Sequence, residues 1–469
     1  MSAPDLIVRG KRVLAGDSAE PAPAAIHIQH GVVTAVTPFD EAPSGSSIYE
    51  AGDDLVMPGI VDTHVHINEP GRTDWEGFTT ATRAAAAGGV TTLIEMPLNS
   101  IPATTTAAPF REKLAAAAGK LWVDTGFWGG VVPGNLQELG PLWQEGVFGF
   151  KCFLVPSGVD EFAHVGEDDL RAALPVLAEL GSPLLAHAED PKIIESASRA
   201  AAKLPANKYS SWLASRPREA ENKAIELLVR LATAAKSRLH VVHVSSAEAL
   251  DIIRAAKTAG LAITAETCPH YLTFAADETN TLGSKDPSYI GIAEGATEFK
   301  CAPPIREVEN RERLWAGLGD GTLDFIASDH SPCPPELKRK DTGDFFAAWG
   351  GIASLELGLA AVWTSARLRG YSVGRLVEWL CRGPARLAGL ARRKGAIDVR
   401  RDADLVIWNP EAGFRVDAER LHQRHKLTPY AGRKLLGVVT ATFLRGRKIF
   451  ERGDFSAGPI GNILKRTDA

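Results

Sequence analysis

The chain has 469 residues, of which 45% are hydrophobic and 23% charged. This composition is typical of a globular protein that is long enough for one large domain and a smaller one. The formal net charge of −5, without a basic stripe of interleaved aromatic residues, argues against nucleic acid or an anionic membrane as a partner. The first residues do not resemble a secretion signal, and no apolar run approaches the about 20 residues of a membrane helix.

The cysteines are odd in number, widely scattered and without a Cys-x-x-Cys pair. A disulfide framework is therefore not expected, and the cytoplasm, a reducing compartment, is the expected location. The five residues are Cys152, Cys268, Cys301, Cys333 and Cys381.

The first segment of the chain is typical of strands and turns without helices. Residues 6–14 are apolar and β-branched, and residues 25–33 alternate before a turn at Gly31. We expect this segment, residues 1–58, to form part of a small β domain.

From Gly59 onward, strand-like apolar runs alternate with helix-like stretches rich in Ala, Leu, Glu and Arg. The candidate strands are 60–67, 90–96, 121–128, 147–154, 182–187, 238–244, 261–266 and 323–328. The helix-like stretches are 75–87, 108–118, 137–145, 168–180, 219–236, 246–259, 309–318 and 353–368. Glycines at many helix-to-strand joints fit left-handed helix caps. Because parallel strands need crossover helices, these units predict an α/β fold, an eight-stranded (β/α) barrel over residues 59–394.

After about residue 395 the chain returns to strand-like segments, of which 403–408 and 437–446 are the clearest. Because β segments flank the barrel on both sides, we expect residues 395–469 to pair with the N-terminal segment in one small β-sandwich. Its expected role is structural.

Six polar side chains fall in the predicted barrel strands or at their carboxyl ends, where the chemistry of such barrels lies. Alternation along the first strand places two of them, His64 and His66, on the same face. Alone, each such residue is more often a packing, snorkelling or helix-capping residue. Six such residues together favour a metal site. Besides His64 and His66, they are Lys151, His187, His243 and Asp329.

The residue types indicate which metals this site would bind. Neutral imidazoles suit zinc and similar divalent metals. One ion rarely needs six protein ligands, so two ions about 3.5–4 Å apart are expected. Burial of Lys151 in an apolar strand lowers its pKa and frees the amine. A free amine can add carbon dioxide to give a carbamate whose two oxygens span both ions, a step that the sequence allows without establishing.

Several segments resemble the amidohydrolase superfamily and, within it, the allantoinase family. They are 59–72 (GIVDTHVHINEPGR), 95–102 (EMPLNSIP), 149–153 (GFKCF), 266–271 (ETCPHY), 300–306 (KCAPPIR), 328–336 (SDHSPCPPE) and 424–430 (RHKLTPY). Any one motif indicates only the superfamily, whereas the set, spread over essentially the whole chain, is specific.

The resemblance implies a centre of two divalent metal ions, with zinc as the usual metal and cobalt, manganese or iron serving in relatives. It implies that His64, His66 and Asp329 bind one ion and that His187 and His243 bind the other. Lys151, modified to N6-carboxylysine by carbon dioxide, would bridge the two ions. Asp329 would also be catalytic, since it would shuttle the proton between the attacking water and the leaving ring nitrogen.

Allantoinases hydrolyse allantoin to allantoate in purine catabolism, and many are homotetramers. The resemblance therefore implies a small-molecule substrate, allantoin, and a homotetrameric assembly. Relatives also suggest that the backbones of Ala302 and Gly351 bind the substrate. Asn99 is a further candidate, although a turn residue that caps the strand is an equally good interpretation of it.

Sister enzymes remain as alternatives. Dihydroorotases carry an arginine two residues after the second metal histidine, where this chain has Asn68, which argues against an anionic substrate. Hydantoinases and dihydropyrimidinases place a tyrosine soon after the bridging lysine, where this chain has residues 154–157 (LVPS). A non-catalytic assembly protein of the same fold would have lost metal ligands, and here all six positions are filled.

Overall fold

The computed structural model describes residues 4–43, 45–277 and 291–468. Its strands are β1 (Leu6–Val13), β2 (Ala22–Gln29), β3 (Val32–Thr37), β4 (Ser47–Pro58), β5 (Ile60–Val65), β6 (Val90–Glu95), β7 (Asp124–Phe127), β8 (Gly129–Gly130), β9 (Phe150–Phe153), β10 (Pro183–His187), β11 (Arg238–Val241), β12 (Ile263–Thr267), β13 (Phe325–Ile326), β14 (Leu405–Arg415), β15 (Lys434–Leu444), β16 (Arg447–Glu451) and β17 (Asp454–Phe455). Its α-helices are α1 (Phe78–Ala87), α2 (Ala107–Ala117), α3 (Leu139–Glu145), α4 (Glu167–Leu180), α5 (Pro191–Ala201), α6 (Tyr209–Ser215), α7 (Arg218–Ala235), α8 (Ala249–Thr258), α9 (Pro269–Thr273), α10 (Val308–Gly319), α11 (Gly358–Leu368), α12 (Val373–Val377) and α13 (Gly383–Leu387).

Strands β5 to β13 form the barrel. One parallel sheet joins β5, β6 and β7, and a second runs from β8 to β13. The short strands β7 and β8 are two halves of one barrel strand, and both lie beside the β9 segment, since Phe148 N donates to Phe127 O and Gly129 pairs with Phe150. A parallel bridge between Val65 and His330 closes the circle. The predicted eight-stranded (β/α) barrel is confirmed.

The two ends of the chain meet in a separate eight-stranded sheet with the order β17-β16-β15-β14-β4-β1-β2-β3. The junction is the antiparallel pair of β4 and β14, in which Pro58 lies opposite Leu405. The expected β-sandwich domain built from both termini is thus borne out. The proposed boundaries at 58/59 and 394/395 stay a prediction.

Local sequence explains why the barrel strands are buried along their whole length and where the helices end. All six residues of β5 and of β6 are buried, as expected for parallel strands covered by helices on the outer face. Helices α3 and α4 each end on a glycine in the left-handed region, Gly146 (φ 106°) and Gly181 (φ 67°). A side chain with a Cβ would strain the backbone at both positions.

Some elements differ from the expectation. The last barrel strand shortens to Phe325–Ile326, because the chain turns sharply at Asp329, which has a φ of 45°. The strand β4 was not predicted, since its Gly-Asp-Asp at 52–54 resembles a turn; here these residues accommodate register shifts against β1. Among the described residues, no helix combines the length and apolarity needed to cross a membrane.

Candidate active site

Three of the six predicted side chains converge at the carboxyl end of the barrel. Ligand atoms of His64, His66 and Asp329 all lie within 4.8 Å of one another. Nε2 of His64 and Nε2 of His66 are 3.2 and 3.6 Å from the same carboxylate oxygen, Oδ1 of Asp329. All three residues are buried, so few water molecules can form hydrogen bonds with their polar atoms.

The orientation of His64 indicates a cation at this point. Its Nδ1 donates to Oε1 of Glu266 over 2.5 Å, so in the neutral ring Nε2 carries a lone pair. That lone pair nevertheless faces the Asp329 carboxylate at 3.2 Å. Two ligands of a tetrahedral zinc ion, each about 2.0–2.1 Å from the metal, lie at about that separation from each other. The arrangement therefore fits a bound divalent metal ion.

The remaining three predicted residues extend this cluster. The rings of His187 and His243 are 4.6 Å apart, and that of His243 is 5.4 Å from the ring of His64. Between the described residues, neither Nζ of Lys151 nor Nδ1 of His243 has a hydrogen-bond partner, although both atoms are buried. An unpaired buried polar group costs about 1–3 kcal/mol. Such atoms beside two other imidazoles fit a second metal ion.

Burial governs the charge of these groups in the metal-free protein. It lowers the pKa of Lys151 to about 8 and the pKa of His66 to about 4, so both are shifted toward the neutral, ligating form. The pKa of His243 also falls well below its usual range, through burial and then through His187 and Lys151. His66 and His243 are thus ready to coordinate without first losing a proton.

Two buried carboxylates orient the histidines from behind. Glu266 accepts from Nδ1 of His64 and also lies 3.1 Å from Nε2 of His240. Burial opposes ionisation of Glu266, but the two histidines lower its pKa to about 2. Glu189 accepts from Nε2 of His187 over 2.7 Å, which leaves Nδ1 of that ring free. Carboxylates in this position fix the ring orientation and raise the basicity of the ligating nitrogen.

Sequence reasoning missed these orienting residues. Glu189 follows His187 by two positions, and Glu266 opens one of the quoted motifs, so each had a local signal. Arg216 had none. Its guanidinium donates to the Glu189 carboxylate and lies 5.0 Å from the ring of Trp212. Burial opposes the ionised form of Glu189, and Arg216 with His187 holds its pKa below the usual range.

A cavity of about 320 Å³ opens over the cluster, within the size range of small-molecule sites. The three predicted substrate-binding residues Asn99, Ala302 and Gly351 all line it. Asn99 has a φ of 66°, as its alternative role as a turn residue requires, and its Nδ2 lies 3.4 Å from Nδ1 of His66. Asn68 is absent from the described lining, and its amide donates to Pro332 O.

The other potential metal groups in the described residues differ from this one. Three carboxylates of Asp124, Asp402 and Asp404 also cluster. They surround the ammonium of Lys394 at 2.6–2.9 Å. That cation, together with Arg445 on Asp124 and Arg393 on Asp402, already balances their charge. Cys268 and His270 lie near Asp329 as well, but burial raises the pKa of the Cys268 thiol well above its usual range, which disfavours the ligating thiolate.

Comparison with known proteins agrees with this geometry. The model of the amidohydrolase family matches residues 55–449. An allantoinase of Streptomyces avermitilis is 48% identical over 99% of this chain and 100% of its own length. An allantoinase of Saccharomyces cerevisiae is 44% identical over 87% of this chain and 86% of its own. Among solved structures, an L-hydantoinase (dihydropyrimidinase) of Arthrobacter aurescens is 32% identical, with a TM-score of 0.90 over 98% of this chain and 99% of its own.

The chain therefore belongs to the amidohydrolase family. The curated relatives place it, within that family, among the allantoinases. The predicted family resemblance is confirmed over nearly the full length.

Proposed function

We propose that this chain is a cyclic amidohydrolase that hydrolyses the ring amide of allantoin to give allantoate in purine catabolism. The observation that carries the proposal is the contact of the His64 ring with the Asp329 carboxylate at 3.2 Å, in the lining of a cavity of small-molecule size. The identity to curated allantoinases, 40–48% over most of the chain, supports this substrate.

The metal centre is proposed to hold two divalent ions, with zinc as the expected metal. Its proposed ligands are His64, His66, Lys151, His187, His243 and Asp329. When bound, such ions lower the pKa of a water molecule and polarise the carbonyl of the scissile amide. Carbamylated Lys151, whose amine has no hydrogen-bond partner among the described residues, is proposed to bridge them.

The protein's own groups would then perform the proton transfer. Oδ1 of Asp329 is engaged by the histidines and by Oγ of Ser331, which donates over 3.0 Å. We assign Oδ2 to accept the proton of the attacking water and to return it to the leaving ring nitrogen. The aromatic walls of Phe153, Trp212 and Trp349 would limit access of bulk water.

The charges around the cavity favour a neutral substrate. Arg216 lines it, but its charge is balanced by the carboxylate of Glu189. Lys300 also lines it, and its ammonium is bound to the backbone carbonyls of Phe346 and Ala348. Neither cation is thus free to grip a substrate carboxylate of the kind that dihydroorotate carries. A ureide, rich in amide donors and acceptors, matches these walls better.

The first test compares four cyclic amides side by side. We expect kcat/KM to be highest for allantoin, ahead of hydantoin, dihydrouracil and dihydroorotate, because the cavity offers polar backbone groups and the two cations of its described lining, Arg216 and Lys300, are already hydrogen-bonded to the protein. Purified, metal-loaded protein would be assayed with each compound under the same conditions. A higher kcat/KM for dihydroorotate or dihydrouracil would overturn the proposed substrate. A metal analysis that finds no ion in active protein would overturn the proposed centre.

The assembly and location are proposed on narrower grounds. We infer a homotetramer from the family resemblance. Size-exclusion chromatography with light scattering is therefore expected to give a molar mass of four times the 50.1 kDa of the chain. A monomer or dimer at micromolar concentration would contradict this inference. All five cysteines are free and buried, which supports the cytoplasm as the proposed location.

A further inference from the structure

Two buried lysines, Lys300 in the lining of the cavity and Lys338 outside the described lining, hold the same short segment of backbone. Nζ of Lys300 donates to the carbonyls of Phe346 and Ala348, at 3.0 and 2.5 Å. Nζ of Lys338 donates to the carbonyls of Trp349, at 3.0 Å, and Gly351. Each lysine is only 5% exposed. Together they bind four of the six carbonyls of residues 346–351, which we call the clamped segment.

These ammonium groups have no carboxylate partner within 4.0 Å among the residues that the structure describes. Burying an ammonium is costly, and carbonyl dipoles offset only part of that cost. Burial accordingly lowers the pKa of both lysines. A methionine would occupy a similar volume without this cost. The charge is therefore better explained by what it does to the clamped segment than by stability.

The clamp also determines which peptide groups face the cavity. Within a trans peptide the C=O and N–H point in opposite directions. The carbonyl of Trp349 points to Lys338, so the N–H of Gly350 points away from it. Similarly, the N–H of Gly351 donates to Lys300 O over 2.8 Å, so the carbonyl of Gly350 points the opposite way. Gly350 lines the cavity.

Both polar groups of Gly351 are consequently engaged by the protein, through Lys300 O and Lys338 Nζ. The substrate contact predicted for the Gly351 backbone is therefore assigned instead to its neighbour Gly350. Within the described part of the chain, no protein group bonds to the N–H or the C=O of Gly350. A donor and an acceptor on one residue match the adjacent C=O and N–H of a cyclic amide.

We propose that Lys300 and Lys338 are positioning residues for substrate binding, acting through the clamped segment rather than by touching substrate or metal. They fix the directions of its carbonyls and so present the peptide groups of Gly350 to the cyclic amide. This rests on the proposed function for the identity of the substrate only. The positioning role itself can be tested with any cyclic amide that binds in this cavity.

The test compares Lys338→Met with wild type and with Lys340→Met, a matched control. Lys340 is an exposed neighbour paired with Glu298, and its variant is expected to keep kcat and KM within about twofold of wild type. Lys338→Met is expected to lower kcat/KM by about tenfold to a hundredfold, mostly through KM, as small displacements of a binding group do. Metal content per chain should stay as in wild type. Lys338→Gln, which keeps two donor hydrogens, should lie between Lys338→Met and wild type.

A second variant, Lys300→Met, tests the other arm of the clamp. The double variant should have a kcat/KM only slightly below that of the more impaired single variant, because the loss of one lysine already releases the segment. The two effects on kcat/KM are then not additive. Unchanged KM in folded Lys338→Met, or a raised KM accompanied by metal loss, would overturn the proposal. If Lys338→Met does not fold, KM and metal content of Lys338→Gln and Lys300→Met test the proposal by the same criteria. If wild type leaves allantoin intact, the proposed function fails, and KM for whichever cyclic amide it hydrolyses still tests the clamp.

Discussion

Replacing Asp329 with asparagine is expected to lower kcat for allantoin hydrolysis by at least about 100-fold, because the amide cannot accept a proton. The carboxylate lies at the point where the two nearest imidazoles meet, with Oδ1 at 3.2 Å from His64 and 3.6 Å from His66. Burial opposes its ionisation, but His64, His66 and His243 hold the pKa of Asp329 well below its usual range. The group is therefore ionised at neutral pH and able to accept the proton.

Asparagine keeps the shape of the side chain, so the fold should be retained, with a melting temperature close to that of wild type. The loss of one negative charge weakens metal binding as well, and metal content has to be measured together with kcat at saturating metal. Asp341→Asn is a suitable control, since the Asp341 side chain is 70% exposed and bonded only loosely to Arg339, at 3.8 Å. Near-wild-type turnover of metal-loaded Asp329→Asn would remove Asp329 from the proton transfer.

The barrel was predictable because its physical cause is local. Strands covered on both faces are rich in apolar residues, and helix-to-strand joints such as those at Gly146 and Gly181 favour a residue that tolerates a positive φ. The strand β4 was not predictable in this way. Its Gly-Asp-Asp sequence favours a turn, and only pairing with β1 and β14 makes it extended. Tertiary partners here overrode local preference.

The six candidate ligands were predictable for a related reason. In a (β/α) barrel the fold brings the carboxyl ends of the strands together, so residues predicted at those ends are expected to lie close to one another. The residues that orient those ligands follow no such rule. Glu266 reaches His64 across 202 positions of the chain, and Arg216, at the C-terminal end of α6, reaches Glu189 in the loop after β10. Such contacts depend on how helices and loops pack, which no periodicity in the sequence encodes.

The cavity wall illustrates the same limit. Ala302 and Gly351 were inferred from relatives, and both line the cavity. The sequence gave no sign that Lys300 and Lys338 would hold the same segment, because the link between them is the backbone of residues 346–351. An ion pair can be suspected from complementary charges. A lysine that binds backbone carbonyls cannot be paired in this way, because every residue of the chain has a carbonyl that could be its partner. Side chains that bind backbone are for this reason the hardest to infer.

The second large effect is expected at Lys151. Its Nζ is buried in β9 without a hydrogen-bond partner among the described residues, and burial lowers its pKa to about 8. The neutral amine can attack the carbon of carbon dioxide and lose a proton, which leaves a carbamate anion. Lys151→Ala removes that anion and should lower kcat by more than about 100-fold, since even residues that only orient a metal ligand are worth 10–100-fold. Metal content per chain should fall with it.

A small carboxylate tests whether the anion, rather than the lysine stem, is what matters. Acetate or propionate at high concentration, added with metal to Lys151→Ala, should occupy the vacated space and restore part of the activity. Lys151→Arg should not respond, because its guanidinium fills the space and keeps its positive charge. Wild type equilibrated with ¹³C-labelled carbon dioxide should give a carbamate signal in the ¹³C spectrum that Lys151→Ala lacks. A bare amine at Lys151 in fully active enzyme would exclude the bridge, and the two ions would then need a different shared anion to offset their repulsion.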